Sequence, residues 1–226
     1  GIRDPEMSRG LGDVYKRQDR KMHYKTMIFD IDGTLTDSAS AILYALRQAV
    51  LKITGKDYDE KELLFALGVP SHLAMKKLTG DRWREAMEVG QNYYQEGLKN
   101  IHLFDGIENT IKELYKKGTQ LGIVTSKSRA EFQRSFFNYP IHPYFSHVIC
   151  QDDMPYHKPD PQPLLACAKL FEADLSLVLY IGDTISDSIC AKNAGVNFAL
   201  AGWGCPDPNS VPTDILLHTP EELLSF

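Results

Sequence analysis

Two aspartates, Asp30 and Asp32, follow directly after the apolar run Met27-Ile28-Phe29 and are separated by one residue. Like charges held close together in a partly dry site repel each other, so this arrangement is unfavourable unless a cation or a chemical task compensates it. Carboxylate oxygens are the ligands that Mg²⁺ prefers, and the ion is commonly held by a few carboxylates together with a substrate phosphate. The pair therefore indicates a site at which a cation or a chemical role compensates the two charges, and the rest of the chain has to show which.

Further polar side chains stand just after other apolar runs of strand length. Thr125 and Ser126 follow the run GIV, Lys158 stands in the segment YHKPDP after the third run, and Asp183 and Asp187 follow the run LVLYI. A single aspartate after a strand is commonly a helix cap, and a single lysine is commonly a solvated surface charge. Carboxylates, hydroxyls and a lysine that recur together at successive strand exits instead indicate the transfer of a phosphoryl group.

The carboxylates have distinct roles in that chemistry. Asp30 and Asp183 supply oxygen ligands for Mg²⁺, the expected cofactor, and an oxygen of Asp30 attacks phosphorus to form an aspartyl phosphate. Asp32 protonates the leaving oxygen and later deprotonates the water that hydrolyses this intermediate. We therefore expect Asp30 to act as the nucleophile and Asp32 as the acid/base.

The remaining residues of the set are expected to bind phosphate. Thr125, Ser126 and nearby backbone N–H groups hold phosphate oxygens, and Lys158 neutralises charge that the metal does not reach. Gly33 and Gly182 let the backbone approach the anion closely. Catalysis is thus expected to rest on Asp30, Asp32, Thr125 and Lys158.

The elements that position these residues follow from the spacing of apolar residues. Runs of strand length recur at residues 25–29, 120–124, 147–150, 177–181, 197–200 and 214–217. Stretches with the spacing of amphipathic helices lie between them from residue 107 onward. Strands that alternate with helices predict an α/β fold with a doubly wound, Rossmann-like parallel sheet, in which ligands bind at the carboxyl ends of the strands.

A helical insertion follows the first predicted strand. The strand pattern stops between Asp37 and Phe104, and the segment shows helical spacing throughout. An all-helical insertion at this point predicts a second, smaller domain above the end of the strand. We expect a core formed by residues 22–37 and 104–226 and an inserted helical cap formed by residues 38–103.

Four segments, DIDGT, IVTSK, HKPDP and GDTISD, resemble the four sequence motifs of the haloacid dehalogenase superfamily. Their spacing is similar to that of the phosphoglycolate phosphatase-like branch, which has a helical cap. The resemblance implies the same roles as the chemistry above for Asp30, Asp32, Thr125, Lys158 and Asp183. It also implies that Asp32 binds the metal through its main-chain carbonyl, that Asp187 supports the metal site from behind its direct ligands, and that the cap closes over the site to exclude water.

The sequence departs from the family pattern at two places. The segment FDGIENT lacks the proline that relatives often have before its glycine, and Ser186 stands where relatives often have Asn or Val. Neither departure involves a predicted reacting atom, so both bear on the subfamily more than on the chemistry.

The cap contains a segment, LGVPSHLAMKK, with a Gly-x-Pro turn that resembles the substrate loop of the family. The candidates for substrate contact in this segment are Ser71, His72, Lys76 and Lys77. An exposed helix face explains two adjacent lysines equally well, so both interpretations stay open.

Trp83, Tyr93 and Tyr94 follow a helical pattern and are expected in the core of the cap.

The favoured function is a Mg²⁺-dependent phosphatase of small phosphorylated metabolites similar to phosphoglycolate. The enzymatic alternatives are an inorganic pyrophosphatase and a phosphomutase of the same superfamily, which product analysis would separate. The alternative of another class is a phospho-aspartate receiver domain in signalling. Asp32 argues against a receiver because an acid/base beside the nucleophile speeds turnover, which a long-lived signal does not need.

Composition limits the partners. With 226 residues and a net charge of −5, the chain offers no basic field for nucleic acid or an anionic membrane, and its apolar runs are shorter than the ~20 residues of a membrane span. The four cysteines are far apart and show no CxxC spacing, which predicts buried, reduced thiols and a cytoplasmic protein. We expect a monomer or a homodimer.

The first 21 residues show neither helical nor strand periodicity and carry 10 charges. Within them the segment DVYKRQ can be read as the translation of a DNA sequence that resembles a transposon end used to tag DNA in sequencing libraries. We therefore expect residues 1–21 to be a non-native or disordered leader and Met22 to be the native start.

Overall fold

The computed structural model of the protein describes residues 23–226. The prediction of a leader over residues 1–21, with Met22 as the start, lies outside the described residues. Among residues 23–226, no helix combines the length and the apolar character that crossing a membrane requires.

The strands, numbered in chain order, are β1 (Thr26–Phe29), β2 (Thr36–Asp37), β3 (His102–Leu103), β4 (Gln120–Val124), β5 (His147–Ile149), β6 (Val178–Gly182), β7 (Asn197–Ala201) and β8 (Ile215–Leu217). Six of them form one parallel sheet in the order β5-β4-β1-β6-β7-β8. The central strands β1 and β6 are buried along their whole length, which explains their unbroken apolar sequences.

The helices, numbered in chain order, are α1 (Ala39–Thr54), α2 (Glu60–Leu63), α3 (Ser71–Thr79), α4 (Trp83–Gly97), α5 (Ile107–Lys116), α6 (Arg129–Ser135), α7 (Gln162–Leu170) and α8 (Ile185–Ala194). Residues of α5 and α6 pack in a core cluster on one face of the sheet, and residues of α7 and α8 pack in a second cluster on the other face. The predicted α/β class with a doubly wound, Rossmann-like sheet is confirmed.

Helices α1 to α4 form a helical cap with a core of its own. The apolar stripe of α1, which includes Leu43, Leu46 and Val50, packs with Ala74 and Met75 of α3. The boundaries that the sequence predicts for the core and the cap stay a prediction, while the inserted helical cap itself belongs to the confirmed fold. The four cysteines are buried and free, as expected.

A short antiparallel pair, β2 and β3, is present that the sequence pattern does not predict. The two strands pair Thr36 with Leu103 and Asp37 with His102, at the points where the chain leaves the core for the cap and returns from it. The prediction that the inserted segment is helical throughout was therefore wrong at its end. A strand of two residues carries no alternation of apolar and polar positions from which it could be recognised.

Candidate active site

Asp30 lies at the centre of the sheet edge at which the parallel strands end. It follows β1, which pairs with β4 on one side and with β6 on the other. Thr125 follows β4 and Asp183 follows β6, so the strand order places these three residues next to each other. The backbone N–H of Asp30 donates to the carbonyl of Ile181 at 2.9 Å and continues the strand pairing up to this residue.

Three buried carboxylates converge behind this edge. Asp30, Asp183 and Asp187 each offer an oxygen, and these oxygens all lie within 4.8 Å of one another. Burial, with help from the neighbouring carboxylates, raises the pKa of Asp30 to about 7 and the pKa of Asp183 well above its usual value. The unfavourable burial of negative charge is what a hard divalent cation with oxygen ligands would relieve, so this donor set fits Mg²⁺.

Lys158 provides one positive charge inside this cluster. Its Nζ lies 2.9 Å from Oδ2 of Asp30 and donates to Oδ1 of Asp187 at 2.7 Å, and all three side chains are buried. Burial alone would lower the pKa of Lys158, but the charges of Asp187 and Asp30 outweigh it and raise the pKa above its usual value. Lys158 is therefore a permanent cation at the nucleophile that the sequence predicts.

Asp187 is fixed by hydrogen bonds to both of its oxygens. Oδ1 accepts from Lys158 and from the hydroxyl of Tyr180 at 2.8 Å, and Oδ2 accepts from the hydroxyl of Thr184 at 2.6 Å. Burial would raise the pKa of Asp187, yet Lys158 and these hydrogen bonds lower it below its usual value. Because both oxygens are engaged, the geometry favours a supporting role for Asp187 over direct coordination of a metal.

Two glycines permit the close packing of these carboxylates. Gly33 has a φ of +78°, and a Cβ at this position would lie 2.1 Å from Oδ2 of Asp183. A Cβ on Gly182 would lie 2.5 Å from Cγ of Asp187. The hydroxyl of Thr34 donates to Oδ1 of Asp183 at 3.0 Å and holds that carboxylate over the loop.

Asp32 has a different set of partners from those of Asp30. Its Oδ1 accepts a hydrogen bond from Ser38 at 2.6 Å, and its Oδ2 lies 2.8 Å from Nζ of Lys127. Lys127 also donates to the hydroxyl of Tyr94 in α4 at 3.2 Å. Although burial would lower the pKa of Lys127, the charge of Asp32 raises it above the usual value. A cap residue is thereby connected to the predicted acid/base through a protonated lysine.

The residues predicted to bind phosphate lie on the loop after β4. The hydroxyl of Thr125, which is buried, accepts from the backbone N–H of Lys127 at 3.2 Å. Ser126 donates to the carbonyl of Gly68 in the cap at 2.8 Å. Ser126 thus joins the core to the cap, and the phosphate-binding roles of Thr125 and Ser126 stay predictions.

A cavity of about 100 Å³ lies between the core and the cap. Its core side includes Asp30, Asp32, Ser126, Lys127 and Glu131. Its cap side is formed mainly by Ile42, Ala45, Leu46, Ala66, Val69, Ser71, Ala74, Met75, Met87, Gln91 and Tyr94. The structure therefore places the predicted nucleophile and the predicted acid/base on one wall of a single cavity.

The cap candidates from the sequence are placed differently from one another. Ser71 lines the cavity and donates to Oε1 of Glu131 at 3.2 Å. His72 packs beside Trp83, with 6.1 Å between the ring centroids, and is not among the residues that line the cavity. Lys76 and Lys77 are exposed and are also absent from the lining, and Nζ of Lys77 lies 3.7 Å from the ring centroid of Phe65. The geometry brings only Ser71 of this group to the cavity.

Sequence reasoning missed Lys127 and Tyr94 as parts of the site. Lys127 stands in the motif IVTSK, and its position three residues after a buried strand was the available signal. The helical pattern predicts Tyr94 in the core of the cap, but its hydroxyl contacts Lys127 and the residue lines the cavity. No sequence signal identifies this contact, because it depends on how α4 is oriented over the sheet.

The family model for haloacid dehalogenase-like hydrolases matches residues 27–201, which include each of the strand exits described above. The chain belongs to this family. Its curated relatives carry the names of phosphatases and pyrophosphatases, so the protein is a phosphatase of the haloacid dehalogenase type.

Individual relatives cover nearly the whole chain. A phosphoglycolate phosphatase of Aquifex aeolicus is 28% identical over 204 residues, which are 89% of this chain and 96% of the relative. The pyrophosphatase PpaX of Halalkalibacterium halodurans is 26% identical over 209 residues, which are 91% of this chain and 97% of the relative. A solved structure from Lactobacillus plantarum, named provisionally as a phosphoglycolate phosphatase, is 31% identical with a TM-score of 0.82 and covers 91% of this chain and 100% of its own.

Proposed function

We propose that the protein is a Mg²⁺-dependent phosphatase that hydrolyses small phosphorylated metabolites through an aspartyl-phosphate intermediate. The observation that carries this proposal is the placement of Asp30 and Asp32 on one cavity wall, with Lys158 paired to Asp30 from behind. A nucleophile, an acid/base and a fixed cation next to one another are the groups that a phosphoryl transfer in two steps requires.

In the first step, an oxygen of Asp30 forms a bond to phosphorus while the bond from phosphorus to the ester oxygen breaks. Asp32 gives its proton to that departing oxygen, so an alcohol leaves. In the second step, a water attacks phosphorus and transfers a proton to Asp32, and the bond to Asp30 breaks. Inorganic phosphate is released, and both carboxyl groups return to their starting states.

The side chains of Asp30 and Asp183 and the main-chain carbonyl of Asp32 would hold the Mg²⁺ ion. The chemistry that the cation supplies when bound is neutralisation of charge on the transferred phosphate and on the buried carboxylates. Lys158 adds a second cation at Asp30, and Asp187 keeps that lysine in place. We propose that Thr125, Ser126 and the loop at Gly33 hold the phosphate oxygens, since these groups follow β1 and β4 at the same sheet edge.

Inorganic pyrophosphate is the second candidate substrate, because several of the curated relatives are named PpaX pyrophosphatases. A phosphomutase or a receiver domain has less support. The cavity between cap and core suits a small substrate better than a protein partner, and Asp32 favours turnover over storage of the phosphoryl group. We further propose a cytoplasmic monomer or homodimer without a nucleic acid partner, in keeping with the free buried cysteines and the net charge of −5.

The test is an assay of phosphate release across a panel of phosphorylated metabolites and pyrophosphate, with Mg²⁺ and after chelation. We expect release from phosphomonoesters only with the cation, and a mass increase of one phosphoryl group on the peptide that contains Asp30 in rapidly quenched samples. Release that survives full chelation would contradict the role of the metal. Return of the phosphoryl group to a sugar, with little free phosphate, would identify a mutase instead.

A further inference from the structure

The cap wall of the cavity is built mainly from hydrocarbon side chains. Helix α1 contributes Ile42 and Leu46, the segment before α3 contributes Val69, and α3 and α4 contribute Met75 and Met87. These residues face the same space as Asp30, so the part of a substrate beyond its phosphate would contact them. Burial of apolar surface is the main attraction that such a wall offers.

The wall is also adaptable in shape. Gly90 of α4 leaves room for Met75, since a Cβ at position 90 would lie 2.7 Å from Cε of that methionine. Methionine is unbranched and polarisable, so Met75 and Met87 can adjust to hydrocarbon groups of somewhat different shape. The wall thus suits a short linear or branched chain.

The charges around the cavity disfavour a second anionic group. The acidic residues that line the cavity are Asp30, Asp32 and Glu131, and the basic residue that lines it is Lys127. Lys127 is already paired, with its Nζ 2.8 Å from Oδ2 of Asp32. Glu131 is held in place by the backbone N–H of Ser128 at 2.7 Å. Among the described residues that line the cavity, no unpaired cation is left for a carboxylate or a second phosphate.

We infer that the group attached to the transferred phosphate is uncharged and largely hydrocarbon, and that the cap wall binds it through buried apolar surface. The inference rests on the proposed phosphatase function of this cavity. It distinguishes the substrate of this chain from phosphoglycolate and pyrophosphate, whose remaining parts are anionic.

The direct test compares two phosphonates of matched shape by calorimetry in the presence of Mg²⁺. Isopentylphosphonate ends in two methyl groups, and 3-phosphonopropanoate ends in a carboxylate at the same position. We expect isopentylphosphonate to bind at least about 10-fold more tightly, since each buried methyl or methylene group improves affinity by about fourfold. Equal binding, or tighter binding of 3-phosphonopropanoate, would overturn the inference.

A charge introduced into the wall should change this preference. In Met87→Lys, the affinity ratio of the two phosphonates should shift by about 10-fold or more toward 3-phosphonopropanoate. Glu88→Gln is the matched control, because it changes the net charge by the same amount at the exposed neighbouring position. An equal shift in Glu88→Gln would mean that overall charge sets the preference, and the inference would fail. Should Met87→Lys not fold, Met75→Lys makes the same test, and the comparison on the parent protein stands without either variant.

Phosphate release from isobutyl phosphate and from phosphoglycolate separates the inference from the function on which it rests. Release from both, with a higher kcat/KM for phosphoglycolate, would leave the phosphatase in place and overturn the hydrocarbon preference. Tighter binding of isopentylphosphonate without release from any ester would overturn the phosphatase proposal, while the preference of the cavity would hold.

Discussion

The core side and the cap side of the cavity differ in how their side chains are held. On the core side, Asp30 lines the cavity, and behind it Lys158 is buried between Asp30 and Asp187, with distances of 2.9 and 2.7 Å to their oxygens. On the cap side, Met75 and Met87 pack in an apolar cluster and line the cavity. Charged hydrogen bonds fix positions closely, whereas apolar contacts attract without direction.

This difference implies a division of labour. A change on the core side removes a charge or a proton from a network in which each partner depends on the next, so we expect large losses in kcat. A change on the cap side alters the surface that the leaving group meets, so we expect changes in KM and in substrate preference.

Replacement of Asp30 should have the largest effect. Asp30→Asn keeps the size of the side chain but removes the nucleophilic oxygen, and kcat for phosphate release should fall by about 10⁴-fold or more. Thermal melting of the metal-free variant at pH 8 serves as the folding control. The variant should melt close to the parent, because the pKa of Asp30 is raised to about 7 and its carboxylate is therefore unfavourable in the folded protein at pH 8. A rate near that of the parent would remove Asp30 as the nucleophile.

Asp32→Asn should separate the two chemical steps. With an alkyl phosphate, loss of general acid catalysis should lower kcat by about 10²- to 10⁴-fold. With an activated aryl phosphate, the leaving group needs little protonation, so Asp30 is still phosphorylated while hydrolysis of the intermediate stays slow. We expect a burst of the phenol close to one equivalent per site. Rates near those of the parent, with neither burst nor phosphorylated peptide, would mean that Asp32 is not the proton shuttle.

The sequence could predict the core side of this comparison because its residues follow strands. Parallel strands end at one edge, so Asp30, Thr125 and Asp183 had to lie together once β1, β4 and β6 were recognised. The contacts of Lys127 with Asp32 and Tyr94 could not be predicted, because they depend on the placement of the cap over the sheet. The same holds for α3, where Met75 faces the cavity and its neighbour Lys76 does not.

Lys127→Met tests the link between the two sides. The variant leaves Asp32 without its ion-pair partner and Tyr94 without its donor, so the position of the carboxylate should become less defined. We expect kcat for an alkyl phosphate to fall by about 10- to 10²-fold, the scale seen for a small misplacement of a catalytic group. The burst with an activated aryl phosphate should change less, because it depends little on Asp32. Partial recovery of kcat in Lys127→Arg would support a role of Lys127 in positioning Asp32. Equal losses of rate with the alkyl and the aryl phosphate would argue against that role.

In the metal-free protein, the buried carboxylates should make the free energy of unfolding depend on pH. The pKa of Asp30 is raised to about 7 in the folded, metal-free protein. The stability that protonated Asp30 contributes is therefore fully present below the pKa of this residue in the unfolded chain, and it is lost as pH rises through about 7. A cation binds the ionised form, and its stabilisation should therefore be larger at pH 8 than at pH 5, reaching several °C in Tm at about 100 times its Kd. Differential scanning calorimetry with and without Mg²⁺ measures this.

Asp30→Asn is the control for that measurement, since the substituted amide does not titrate. The stabilisation by Mg²⁺ in this variant should be smaller and should depend less on pH. A stabilisation that is the same at pH 5 and pH 8 in the parent would contradict the assignment of the cation to the buried carboxylates.

The smallest effect is expected for Lys76→Ala. Lys76 is exposed on α3 and does not line the cavity, whereas the adjacent Met75 does. Loss of an exposed charge away from a binding site changes little, so kcat/KM should stay within about twofold of the parent for neutral and anionic esters alike. Steady-state kinetics with isobutyl phosphate and phosphoglycolate make the measurement, and Lys77→Ala, on the same exposed face, should behave in the same way. A rise in KM for phosphoglycolate alone would show that Lys76 reaches the anionic end of a substrate, as the sequence allowed. The cap would then bind charge as well as hydrocarbon, and the contrast between the two walls of the cavity would be smaller than the structure indicates.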